Sequence, residues 1–456
     1  MEASRAPSPP LHPPIALARH ASGGVRRSAP GALLTRVGTV VTALLFATGC
    51  ATSPGPGAPR ADWVLPRAST PESVGLSSAQ LDKLAAVTRE HVASGVLPGA
   101  LIVIARHGRI AYVESFGARD RAANAAMAED AIFRLYSMTK PIVSVAVMML
   151  VEEGRLQVDD PVSRYLPEIG RMKVGVERKD ASGVSTVEMV APTRPMTVQD
   201  LLRHTSGLTY AGRARGPVAD LVRSAQLGNR NESNQEFVDK LSRTPLMSSP
   251  GTRWEYGVST DVLGRLVEVI SGKPLGVFLE ERIFKPLGMV DTAFWIPPAK
   301  LARAAQPWQR PGGPPMTPRF DVSVQPRFES GGGGLTGTAA DYLRFTTMLL
   351  NGGELNGQRL LGKQSVQFMT ADHTGALAGL PAGLSFGLGF QVRRQAGFAG
   401  LPGSVGEYGW AGNAGTLFWI DPAEQLIAMY MVQVNDTDRI ALRNQFRTMV
   451  QSAIVR

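Results

Sequence analysis

From Ser77 onward the apolar and polar positions recur with regular periods. Leu81, Leu84, Ala85, Val87 and Val92 return at helical spacing, which predicts an amphipathic helix beginning near Ser78. Two runs of strand character follow at 100–106 and 110–116, and His107-Gly108-Arg109 between them predicts a hairpin. Phe133-Arg134-Leu135-Tyr136 leads into an apolar helix from about Ser137 to Glu153, stopped by Gly154. Residues 172–196 read as an irregular, strand-containing excursion. Further helices are expected at 198–204, 234–242, 260–270 and 275–283, each ended by Gly, Pro or polar residues. A glycine run at 331–334 precedes a helix at 339–350, then strands at 386–392, 408–420 and 425–432 and a closing helix at 438–455. This order predicts an α/β (α+β) architecture. One sheet is completed by both ends of the domain (76–135 and 320–456), with a helical subdomain (136–320) inserted between them.

Upstream of Ser77 the pattern changes. Residues 37–48 form an apolar run after Arg36, too short to span a bilayer but suited to the core of an export signal. Ala47-Thr48-Gly49-Cys50 is similar to a bacterial lipobox, with Ala47 where leucine is usual, and makes Cys50 the candidate lipidation site. Cleavage of an ordinary signal near Gly49 or Ala51 is the other reading. Residues 1–50 are therefore expected to direct the chain to the bacterial cell envelope, on the periplasmic side, with membrane contact only through a lipid anchor. Residues 51–75, rich in Pro, Gly and Ala, read as a tether, and 76–456 as the folded domain.

Composition adds exclusions. The net charge of +10 includes +4 from residues before position 50, and the remaining basic residues are interspersed with acidic ones. That pattern argues against nucleic-acid binding. Cys50 is the only cysteine, so the domain holds no disulfide. His91, His107, His204 and His373 show no metal-ligand spacing, and no metal or other cofactor is expected.

One pair of residues carries chemistry. Of nine lysines, only Lys140 has a serine three positions before it, and residues three apart share a helix face. Ser137 stands at the head of the apolar helix, where backbone N–H groups lack intrahelical partners and the dipole is positive. A serine there, with an amine one turn on, has the makings of an acyl-transfer nucleophile. Because Pro141 to Met148 are almost all apolar, Lys140 is expected to be buried, and burial favours the neutral amine that acts as a base. Tyr256, in Trp254-Glu255-Tyr256-Gly257-Val258, precedes another helix and is a candidate proton relay. Tyr408-Gly409-Trp410-Ala411-Gly412-Asn413 is a strand whose small residues let a substrate approach the backbone. Two other motifs are set aside: His373-Thr374-Gly375 lies in a loop, and Gly383-Leu384-Ser385-Phe386-Gly387 lacks the following helix of a nucleophile elbow. His204 reads as structural.

In order and spacing these pieces, with Leu202-Arg203-His204-Thr205-Ser206-Gly207-Leu208, resemble the serine β-lactamase-like superfamily. That superfamily includes class C β-lactamases, D-alanyl-D-alanine peptidases, family VIII carboxylesterases and lovastatin-type acyltransferases. The resemblance implies a β-lactamase/transpeptidase-like fold, an antiparallel sheet flanked by helices with an inserted all-helical subdomain and the active site in the groove between. It also implies Ser137 as nucleophile, Lys140 and Tyr256 sharing the base role, and the N–H groups of Ser137 and Asn413 as oxyanion hole. Tyr136, Val258, Trp410, Ala411 and Gly412 become candidate substrate-binding residues. Val258 replaces the asparagine of a Tyr-x-Asn motif, and Trp410-Ala411-Gly412 replaces Lys-Thr-Gly, leaving no cation for a β-lactam carboxylate at that place. The resemblance therefore implies a carboxylesterase on short-chain esters, with β-lactamase or D-Ala-D-Ala carboxypeptidase as the alternative. Acyl transfer to an alcohol, or a catalytically silent envelope binding protein, are further alternatives. The expected partner is a small-molecule ester or amide.

Overall fold

The computed structural model describes residues 61–308, 320–434 and 439–456; the expected export signal and Cys50 lie outside the described residues. Eight antiparallel strands make the main sheet. Three come from the N-terminal side: β1 (Gly99–Arg106), β2 (Arg109–Asp120) and β3 (Ala125–Ala126). Five come from the C-terminal side: β4 (Leu384–Phe386), β5 (Gln391–Arg393), β6 (Tyr408–Ala411), β7 (Leu417–Asp421) and β8 (Leu426–Met431). Their spatial order is β4-β5-β6-β7-β8-β1-β2-β3. The two ends of the domain meet where β1 pairs with β8, Leu101 opposite Met431 and Arg106 opposite Leu426.

Period-two alternation sends the side chains of β1 and β8 into two separate cores. Ala100, Ile102, Ile104, Leu426, Ala428 and Tyr430 face one layer. It is covered by α1 (Ser78–Ala93) and α6 (Arg439–Ser452), through Leu81, Leu84, Leu442, Phe446 and Val450. Leu101, Val103, Ala105, Ile427, Met429 and Met431 face the other. There they share one core with α2 (Thr139–Glu152), α3 (Val198–Leu202), α4 (Ser259–Ser271) and α5 (Ala339–Leu350). Every residue of α2 from Thr139 to Leu150 is buried, as expected for a helix apolar on all sides.

Several elements differ from the sequence reading. The regular helix begins at Thr139, and Tyr136–Met138 is a 3-10 turn. Tyr136 has φ +47, a left-handed conformation that cannot continue into an α-helix. The strand expected at 386–392 is divided into β4 and β5 by a tight turn, in which Gly387 N–H donates to the Phe390 carbonyl and Gly389 has φ +99. The 408–420 stretch likewise folds back at Gly415 (φ +94) to give β6 and β7. Within 172–196 the excursion is a hairpin, Val174–Lys179 against Ser185–Val190. The tether expected over 51–75 is packed from residue 61 onward. Trp63, Val64 and Leu65 lean on the core, the Trp63 indole donates to Glu129 at 2.7 Å, and Pro71–Val74 forms a 3-10 turn. An apolar triplet within a Pro/Gly-rich composition is enough to dock it.

Candidate active site

Ser137 sits in the 3-10 turn ahead of α2, directly after the left-handed Tyr136. Two bonds pin this turn from below. The Tyr342 hydroxyl on α5 donates to the Met138 carbonyl at 2.9 Å, and the Leu335 N–H donates to Thr139 Oγ1 at 3.1 Å. Tyr136 thus holds a sparsely populated backbone conformation beside the candidate nucleophile, fixed by its surroundings, as strained residues at functional sites are.

Lys140 projects from the first turn of α2 and is 1 % exposed. Its ammonium donates to Ser137 Oγ at 3.3 Å, to the Tyr210 hydroxyl at 2.9 Å and to the Gly332 carbonyl at 2.5 Å. An ammonium has three N–H donors, and three acceptors surround it. Burial alone pulls the Lys140 pKa down, but Tyr210, Tyr256 and Asp261 more than offset this and hold it above the usual lysine range. The neutral amine expected from burial is thus corrected: the lysine is buried, and its neighbours keep it charged. Burial likewise pushes the Tyr210 hydroxyl up, against the pull of Lys140.

The glycine run is what brings a backbone carbonyl to Lys140. A Cβ on Gly331 would lie 2.5 Å from the Thr260 carbonyl, and one on Gly332 would lie within 2.3 Å of Asp261 Oδ2. Only glycine lets this segment pass so close to α4. Asp261, in the first turn of α4, accepts from Ser330 Oγ at 2.5 Å and from Gly332 N–H at 3.0 Å, which fixes the segment. Burial raises the Asp261 pKa, and the charge of Lys140 works against that rise.

Tyr256 enters from the other side, with Oη 2.7 Å from Ser137 Oγ. The Lys140 ammonium lies 4.8 Å from the centre of its ring. The Trp410 indole N–H donates to Tyr256 Oη at 3.3 Å, and the two rings meet edge to face at 5.2 Å. His204 supports this loop. It is 1 % exposed, its carbonyl accepts from Glu255 N–H, and its ring Nδ1 takes the Gly257 N–H at 3.5 Å. Burial, with Lys140 and Arg213 nearby, holds its pKa well below the usual histidine value, so it is a neutral acceptor. The loop carrying His204 and Tyr210 is anchored by Asp200. That fully buried carboxylate binds Arg194 at 2.6 Å, Thr205 at 2.7 Å and Arg203 at 3.1 Å. Burial opposes its ionisation, but these partners together keep its pKa low.

β6 forms the remaining wall. Its pairing with β5 ends at Gln391–Gly409, so from Trp410 onward that edge of the strand has no β5 partner. Trp410, Ala411, Gly412 and Asn413 line a cavity of about 580 Å³ together with Ser137 and Tyr256. The turn after β6 is held by α6: the Arg443 guanidinium donates to the carbonyls of Gly412 and of Gly415. Burial, with Arg439 close by, pushes the Arg443 pKa down to about 10.

The structure therefore brings Ser137, Lys140, Tyr256, Trp410, Ala411, Gly412 and Asn413 to one place. Two candidate substrate-binding residues do not line that cavity. Val258 is 6 % exposed at the N-terminus of α4 and packs into the main core, because the helix turns its side chain inward. Tyr136 is 6 % exposed and its ring meets Phe320 edge to face at 5.5 Å, a consequence of its left-handed backbone. The cavity also carries cations at places other than the Lys-Thr-Gly position, among them Arg213 and Arg443. Tyr210, Asp261 and Gly332 were missed in the sequence. For Tyr210 the signal was its place two residues beyond the Leu202–Leu208 motif; Asp261 and Gly332 act through a backbone carbonyl and left none.

Comparison with known proteins gives a consistent picture. The Beta-lactamase family profile matches residues 84–448. Protein Rv1367c of Mycobacterium tuberculosis is 34% identical over 77% of this chain and 90% of its own length. Esterase EstB of Burkholderia gladioli is 32% identical over the same shares of the two chains. Among solved structures, simvastatin synthase (LovD) from Aspergillus terreus superposes with a TM-score of 0.69 at 26% identity, covering 82% of this chain and 99% of that one.

Proposed function

This chain belongs to the beta-lactamase family and is a serine hydrolase of the acyl-transferring kind, and on that premise we propose that it is a carboxylesterase acting on short-chain esters through an acyl-enzyme on Ser137. One observation carries the proposal: Tyr256 Oη at 2.7 Å and Lys140 Nζ at 3.3 Å converge on Ser137 Oγ in an open cavity.

In the first half-reaction Ser137 Oγ attacks the ester carbonyl carbon. Its proton passes to Tyr256 Oη, 2.7 Å away, which accepts it as the anionic oxygen of the pair while the Lys140 ammonium balances that charge. The ammonium of Lys140 favours negative charge on the oxygen atoms around it. The N–H groups of Ser137 and Asn413 receive the oxyanion. The tetrahedral intermediate collapses, the C–O bond to the alcohol breaks, and the pair returns the proton to the leaving alkoxide. Water then attacks the acyl-enzyme with the same pair as base, and the acid leaves with Ser137 restored. Support for an ester over a β-lactam comes from Trp410, which stands where a lysine would serve a β-lactam, and from the likeness to esterase EstB.

The test is hydrolysis of p-nitrophenyl butyrate by the wild type and by Ser137→Ala. Activity is expected in the first and not in the second, and full activity in Ser137→Ala would sink the assignment. Faster turnover of nitrocefin than of the ester would favour the β-lactamase alternative. A second reading, acyl transfer to an alcohol, is favoured by the likeness to simvastatin synthase. Ester product formed on adding an alcohol acceptor would establish it.

A further inference from the structure

Charge in the cavity is one-sided. Its walls carry five arginines and a single carboxylate, Glu407. That carboxylate is already engaged, because Arg393 and Arg447 both pair with it. Arg443 spends its donors on the carbonyls of Gly412 and Gly415, which carry no formal charge to offset its own. Arg213 differs from these in kind. It follows Tyr210 in the loop, is exposed, and lies 5.5 Å from the Tyr256 ring centre and 6.0 Å from that of Trp254. Among the described residues no carboxylate pairs with Arg213 and no side-chain hydrogen bond engages its guanidinium, whose contacts are with the two rings.

We propose that the cavity selects esters bearing a carboxylate or a similar anionic group, and that Arg213 is the residue that binds that group. The proposal rests on the esterase reading and deepens it. A guanidinium laid over aromatic rings is oriented by them yet keeps its five N–H donors for a ligand. A carboxylate matches that fork bidentately, which a neutral acyl or alcohol group cannot do. Arg443, whose carbonyl partners carry no formal charge, adds positive potential that raises the local concentration of an anion at the mouth. Trp410 takes the place of one cation on β6, and Arg213 supplies another beside Tyr256, from the loop of the inserted region.

The experiment compares matched pairs of esters in the full-length protein. Mono-p-nitrophenyl adipate against p-nitrophenyl hexanoate places the anion on the acyl side. 4-Acetoxybenzoate against its methyl ester places it on the alcohol side. The expected result is a kcat/KM preference for the anionic member in at least one pair, of about five- to ten-fold for a solvent-accessible guanidinium. Arg213→Gln should abolish the preference, Arg213→Glu should reverse it, and high salt should shrink it. Using the ratio within one variant removes any general loss of fold or activity. Neutral members hydrolysed at the same rate as anionic ones in both pairs would overturn the proposal, as would a preference that survives Arg213→Gln. If the wild type hydrolyses no member of either pair, it is the esterase reading that fails instead.

Discussion

Phe446 and Lys140 are buried almost equally, at 3 % and 1 % exposure, on opposite sides of the same sheet. Phe446 lies on α6 in the outer layer, stacked with Tyr430 at 4.8 Å and edge to face with Trp419 at 5.6 Å. It is held by the apolar area it removes from water and by ring contacts. Lys140 lies on α2 in the inner layer, and what holds it is a complete set of acceptors: Ser137, Tyr210 and Gly332. Equal burial thus has opposite meanings. In the outer layer it contributes stability, and in the inner layer it isolates a charge and leaves it aimed at one serine oxygen.

Breaking each side should separate the two effects. Lys140→Met keeps the volume and removes the charge. In the proposed reaction kcat should fall by about 10²–10⁴-fold, the range of a lost acid–base partner, while the melting temperature shifts little. Phe446→Ala should do the reverse, costing about 3–5 kcal/mol in denaturant titration and leaving kcat of the folded enzyme intact. If kcat of the folded fraction collapses as well, the two layers are not separable. Tyr210→Phe sharpens the comparison, since it keeps the ring and deletes one acceptor of the ammonium. A loss of roughly ten- to a hundred-fold in kcat with KM nearly constant is expected, because the interaction acts on the charge and not on the substrate.

The smallest effect concerns Asp341, at the start of α5 beneath the site. Burial raises its pKa from 3.8 to about 6, against bonds from the Thr292 hydroxyl and the Asp291 N–H. A carboxyl with a raised folded-state pKa holds its proton in the native chain when the unfolded chain has lost it. Its contribution to stability is therefore fully present below the unfolded value and declines as pH rises toward about 6. Asp341→Asn should flatten that decline, worth about 2 kcal/mol between pH 4 and 6. An unchanged pH–stability slope in the variant would remove Asp341 as its source.

How much of this could be seen in the chain itself follows the same division. The outer layer was legible, because period-two strands and helical spacing in α1 report burial directly. Ser137, Lys140 and Tyr256 were legible as residues with suitable chemistry at suitable places. The charge state of Lys140 was not, because burial is written locally in α2 whereas the groups that reverse its effect stand at 210, 256 and 261. Val258 misled for a related reason: its position in a motif placed it near the site, but the direction in which α4 begins turned it into the core. The hairpin at 174–190 and the split of 386–392 were hidden because glycine turns interrupt the periodicity on which strands are read.

The grip of Arg443 on the Gly412 carbonyl also has a meaning in time. A chain grows from its N-terminus, so Ser137 is made more than three hundred residues before the helix that fixes the opposite wall. Until that helix docks, the Gly412 and Gly415 carbonyls lack the guanidinium that holds them. The Gly412 wall is therefore the last side of the cavity to be fixed during synthesis, long after the residues it faces have been made.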